Sequence, residues 1–175
     1  MSTSPRVWTD FDEFFRTEFL CVVGFVVKAG VGRDEARDAA QEAMADAFRL
    51  WSGLTNPSAW VRRAAYGHAM RHYSRDQEGY RRALAGGWAA PQTVTDPWAA
   101  IHEGPAVAVL LAKLPVRQRM VMAWHLDGFD VAEIAEQLHI RPATVRSTLR
   151  HARTRLQKLL DNPAQQLEGG ENGGR

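Results

Sequence analysis

The stretch from Asp127 to Leu160 reads DGFDVAEIAEQLHIRPATVRSTLRHARTRLQKLL. Asp130 stands where a helix cap belongs, and Glu133, three residues on, completes a capping-box pattern. Val131, Ile134, Ala135 and Leu138 then recur at helical spacing. Pro142 suits the first position of a second helix, where a missing N–H costs nothing. Val145, Leu149, Ala152, Leu156 and Leu159 follow at steps of three and four and predict its buried stripe. Asp161, Asn162 and Pro163 predict its end. Between His139 and Leu160 there are Arg141, Arg146, Arg150, Arg153, Arg155, Lys158 and two histidines, with no acid. A helical hairpin with charge of one sign on its second helix suits a DNA major groove and reads as a helix-turn-helix.

The rest of the chain is helical by the same criteria. Its 175 residues allow one domain or two small ones. The total formal charge of +2 hides an asymmetry. Acids crowd the first half (Asp10, Asp12, Glu13, Glu18, Asp34, Glu35, Asp38, Glu42, Asp46), while bases crowd the middle and the end. Two surfaces with different partners are expected from such a distribution. Thr9 with Asp12 predicts the start of a first helix reaching about Ala29, with Phe11, Phe14, Phe15, Phe19, Val22, Val23 and Val26 inward. Gly30 and Gly32 break it. A second helix from Arg33 to Trp51 buries Ala36, Ala39, Ala40, Ala43, Met44, Ala47, Phe48 and Trp51. Asn56 and Pro57 open a third, through about Arg75, with Trp60, Val61, Ala64, Ala65, Ala69 and Tyr73 at core spacing.

From residue 76 to 104 the periodicity fades, and glycine and proline mark a linker. Helices over 106–114 and from Pro115 to Leu126 lead into the helix-turn-helix. The Gln-, Glu- and Gly-rich tail, 163–175, reads as disordered. No segment has a strand pattern. The expected fold is all-α: two small helical bundles, 9–75 and 105–162, joined by a flexible linker, the second containing the helix-turn-helix. Cys21 is the sole cysteine, so no intramolecular disulfide forms, and its apolar neighbours predict a buried site. Neither a secretory leader pattern nor an apolar run of membrane-spanning length is present. The expected location is cytoplasmic, without membrane insertion.

Two blocks together resemble the sigma-70 family of bacterial RNA polymerase initiation factors, in its small, two-domain extracytoplasmic-function (ECF) type. Leu114-Pro115, Gln118-Arg119, Glu133-Ile134-Ala135, Thr144-Val145-Arg146-Ser147, Ala152-Arg153 and Leu156 fall where that family's region 4 has its motif. DEFFRTEF, then ARDAAQEAMADAFRLW, then Trp60-Val61, resemble region 2 in order. The resemblance covers about 10–75 and 107–160. It implies that region 2 docks on the β′ clamp helices of core RNA polymerase, here through Asp38, Gln41 and Glu42. It implies further contact with the polymerase β subunit, and melting of the minus-10 element as single strand.

On the third helix, basic groups follow phosphates and aromatic rings stack on bases, which makes Trp60, Arg62, Arg63, Tyr66 and Arg71 the minus-10 candidates. Region 4 would bind the minus-35 duplex. Arg141 and Arg153 would hold mainly phosphates, Arg146, Ser147 and Arg150 would reach base edges, and Thr144 would bond the backbone near the helix start. An anti-sigma factor is a further implied partner. The family commonly has Asn, Asp and Arg along the third helix, where this chain has Gly67, Arg71 and Ser74, and the loop before Trp60 is short. These departures motivate an alternative, a stand-alone helix-turn-helix regulator without polymerase function.

No other chemistry stands out. His68 and His72 are spaced as paired metal ligands can be, but HAMRH lacks the glutamate of a zinc protease and places Arg71 in between. The pair Gly86-Gly87 lacks the lysine of a phosphate loop. No catalytic site, metal or cofactor is expected.

Overall fold

The computed structural model describes residue 8, residues 10–85 and residues 104–161, with the backbone alone described for 73–85 and 104–105. Seven α-helices follow one another among the described residues: α1 Phe11–Lys28, α2 Arg33–Leu50, α3 Pro57–Ala85, α4 Gly104–Ala112, α5 Val116–Leu126, α6 Val131–Leu138 and α7 Pro142–Asp161. A single 3₁₀ turn, Trp51–Gly53, links α2 to α3. No described residue is in a strand, so the all-α expectation holds, with α1–α3 and α4–α7 as two helical groups. None of the described helices is long and apolar enough to cross a membrane. The loose start, most of the expected linker and the tail lie outside the described residues.

In the first group, α2 packs its stripe Ala36, Ala39, Ala40, Ala43 and Ala47 against α1 and α3. Methyl-sized side chains let the helix axes approach, and Val61, Ala65 and Ala69 of α3 meet them. Several details differ from the sequence reading. The α1 cap is Asp10, not the Thr9–Asp12 pair: its side chain accepts from the Glu13 N–H at 2.7 Å. Phe15 and Phe48 are exposed, and so is Cys21. Phe25, which was not among the expected core residues, is fully buried. Helix α3 continues to Ala85, ten residues past its expected end. Gly79 lowers helix propensity there by only about 1 kcal/mol relative to alanine, and no proline interrupts the run.

The second group assembles around Leu111, Leu114, Val121, Trp124, Ile134, Val145, Leu149 and Ala152. The Arg119 guanidinium closes the end of α4 by donating to the Leu111, Ala112 and Leu114 carbonyls, each at 3.1 Å. The capping box of α6 forms as its sequence implies. The Asp130 carboxylate accepts from the Ala132 and Glu133 N–H groups, and Glu133 accepts from the Asp130 N–H at 2.8 Å. Asp130→Ala removes one side of that exchange and is expected to cost roughly 0.5–2 kcal/mol in chemical denaturation. Asp130→Asn, which keeps an acceptor, is expected to cost less. His139 ends α6 in the left-handed region, φ 52°, and turns the chain into α7.

Candidate nucleic-acid interface

Helix α7 is the site's backbone. Val145, Leu149 and Ala152 are buried against α5 and α6, and this fixes the rotation of the helix. Arg146, Arg150 and Arg153, at steps of four and three, are thereby left exposed on one face. Arg141 is exposed just before the helix. Thr144 and Ser147 are half-buried, and the Ser147 hydroxyl donates to the Thr144 carbonyl at 3.0 Å. That bond engages the hydroxyl hydrogen and leaves the oxygen free to accept. The carboxylate at the end of the helix, Asp161, accepts from the Gln157 side chain at 2.9 Å and stays clear of the arginine face.

Sequence reasoning missed His125. Its Nε2 lies 2.7 Å from the Arg153 guanidinium. Burial holds the imidazole pKa below its ordinary value, the Arg153 charge lowers it further, and a backbone hydrogen bond at Phe129 offsets part of this. The neutral ring can accept from Arg153 and so orients that side chain. The signal in the sequence was weak, because His125 and Arg153 are 28 positions apart.

The residues expected to meet a single strand lie on α3. Arg63 and Arg71 are exposed, while Trp60 and Tyr66 are half-buried and pack against the core. Arg62 is different. It is 4% exposed and does not face solvent in this arrangement. Its guanidinium donates to Glu18 at 2.6 Å, to Asp127 at 2.6 Å and to the Ser58 carbonyl at 2.9 Å. Burial alone would lower its pKa, but the Asp127 and Glu18 carboxylates outweigh that and raise it. A strand candidate by sequence is thus engaged internally, because the two carboxylates that meet it are 44 and 65 positions away.

On α2, Asp38, Gln41 and Glu42 are all exposed. Glu42 is held by α3: its carboxylate lies 2.7 Å from His68 Nδ1 and 2.9 Å from His72 Nε2. His68 Nε2 also lies 2.8 Å from Asp46. Burial would raise the Asp46 pKa, but the His68 hydrogen bond and Arg49 lower it below the ordinary carboxylate value. The histidine pair thus braces α2 against α3. Gly67 faces open space: a Cβ there would meet only the Arg71 side chain, at 3.6 Å, an ordinary contact. Packing therefore does not demand a glycine at this position.

The chain is similar to known proteins. Residues 106–156 match the family model described as Sigma-70, region 4. The chain is 29% identical over 157 residues to the ECF RNA polymerase sigma factor SigM of Mycobacterium tuberculosis, in the Erdman and H37Rv strains alike, covering 86% of this chain and 76% of the relative. Among solved structures it is similar to the sigma factor RpoE, crystallised with the anti-sigma factor NepR from Bartonella quintana (TM-score 0.65, 19% identity, 88% of this chain and 98% of that one). It is also similar to CnrH in complex with the cytosolic domain of CnrY (TM-score 0.59, 21% identity, 86% and 87%). These two likenesses establish the fold across both helical groups. The helix-turn-helix half thus carries the sigma-70 region 4 family pattern, and the chain as a whole is similar to ECF RNA polymerase sigma factors over most of its length.

Proposed function

We propose that this chain is an ECF-type sigma factor with a division of labour between its two helical groups, a reading carried chiefly by the acid-free arginine face of α7 within the region 4 match. In this reading α7 lies in the major groove of the minus-35 duplex. Arg146 and Arg150 address base edges, since a guanidinium can engage guanine O6 and N7 together. Arg141 and Arg153 hold phosphates and set the register. The exposed Arg63 and Arg71, with Tyr66 and Trp60 beside them, bind the opened minus-10 strand by charge and stacking. The acidic and polar face of α2, Asp38, Gln41 and Glu42, docks on the β′ clamp helices of core polymerase, where a complementary basic surface would speed and orient association. An anti-sigma partner is part of the same proposal, supported by the two structural neighbours, each solved in complex with a partner chain.

Run-off transcription on fragmented genomic DNA, with purified core polymerase from the native host, tests this. Discrete transcripts that require the added protein are the expected result. Duplex binding without any stimulation of active core would instead favour the stand-alone regulator.

A further inference from the structure

The two helical groups meet where α1 packs against α4 and α5, and a cluster of aromatic and charged side chains stands at the α5 part of that contact. Phe25 of α1 packs edge-on against Trp124 of α5, with ring centroids 4.8 Å apart, and Trp124 packs likewise on Phe129, also at 4.8 Å. Beside this apolar contact sits Asp127, at the end of α5, with its side chain only 5% exposed. Both its oxygens are taken by the other group: Oδ1 by the Lys28 ammonium and Oδ2 by Arg62 Nε, at 2.6 Å. The Arg62 guanidinium carbon also stands 5.4 Å from the centre of the Phe129 ring. Glu18 provides the second carboxylate, so two cations face two anions in a near-dry cluster. A cleft of about 520 Å³ continues from this contact, with Arg63 and Tyr66 of α3 facing Val116, Arg117 and Met120 of α5.

Arg62, Arg63 and Tyr66 are minus-10 candidates, and all three lie at or inside this seam. We infer that Asp127 is an intramolecular latch: it holds the free protein closed, with Arg62 engaged inside and Arg63 and Tyr66 of α3 facing α5 across the cleft, and it must release Arg62 and Lys28 before both promoter elements can be engaged. The functional meaning rests on the proposed strand-binding role of α3. The latch itself rests only on the contacts. Buried ion pairs gain little net stability over apolar packing, but losing one partner leaves an uncompensated charge, so such a contact is suited to a two-state switch. A closed population also weakens apparent binding in proportion to the fraction closed, and release restores it.

The test is a distance measurement on the full chain without any partner. Spin labels at Ser52 and His151, both exposed and one in each group, are introduced in a Cys21→Ser background and read by pulsed electron resonance. The parent is expected to give one narrow distribution. Asp127→Lys, which faces two cations with a third, is expected to shift it to longer, broader distances. Lys28→Glu makes the same break from the other side and leaves α5 untouched, so it is expected to give the same shift. Circular dichroism on each variant confirms that helix content is kept. A parent distribution that is already broad, or either folded variant keeping the parent distance, overturns the latch. None of these readouts involves DNA or polymerase, so failure of the latch is distinguishable from failure of the proposed strand-binding role. Once the shift is seen, Asp127→Lys is expected to bind a single-stranded minus-10 oligonucleotide more tightly than the parent. Unchanged affinity would sink the strand-binding role of α3 and leave the latch standing.

Discussion

Replacing Arg146 and Arg150 together with glutamate is expected to lower promoter-specific transcription by at least ~30-fold. Each good arginine–guanine pair gives roughly 1–3 kcal/mol of discrimination, so losing two removes about 2–6 kcal/mol, and every 1.4 kcal/mol is a factor of about ten. The inserted carboxylates add repulsion from the phosphates. Both side chains are exposed and have no packing role, so the fold should be unaffected and the thermal midpoint nearly unchanged. Run-off transcription with core polymerase measures the effect, and transcripts at the parent level would remove α7 from promoter reading. Arg141→Ala should behave differently. Under its proposed phosphate-holding role, its loss should weaken binding about equally on every sequence and make the slope of log K against log salt shallower by about 0.9. Measuring that slope separates the two roles without assuming a promoter sequence.

Trp124→Ala carries the largest expected cost in stability. The side chain is 2% exposed and joins Phe25 on one side to Phe129 on the other. Truncating a buried aromatic to alanine typically costs about 3–5 kcal/mol, because the lost contacts leave a cavity that neighbours fill only in part. Whole domains are stable by about 5–15 kcal/mol, so this one change is expected to bring the second group close to its unfolding midpoint. Chemical denaturation followed by circular dichroism should show a much lower midpoint. Because Trp124 also links the two groups, the transition should become less cooperative, with a shallower slope or two steps. Trp124→Phe keeps a ring in place and should cost distinctly less. An alanine variant as stable as the parent would mean that the Phe25–Trp124–Phe129 stack does not hold these helices together.

Both expectations draw on the sequence to different degrees. The arginine face of α7 was legible because every signal needed to place it is local. The Asp130–Glu133 box starts α6, Pro142 starts α7, and Val145, Leu149 and Ala152 fix which side of α7 is buried. Helix periodicity acts over three and four residues, so one window of sequence contains both the cause and its effect. The alanine stripe of α2 was readable for the same reason. The Asp10 cap and the extended α3 were not, since helix ends shift by a residue or more on small differences in energy.

The roles of Arg62, Asp127 and His125 had no local signature. On the sequence Arg62 is one more base on a basic helix, and Asp127 is a polar residue before a glycine. Only the fold brings Asp127 to Lys28, 99 positions away, and to Arg62, 65 positions away. The burial of Phe25 has the same origin, since the partner that covers it, Trp124, belongs to the other helical group. The sequence by itself therefore determined the helices, most of their inward faces and the basic face of α7, all of them set by neighbours a turn or two apart. The tertiary structure alone decided which charges are spent inside the molecule, because a buried guanidinium requires carboxylates that only long-range packing can deliver.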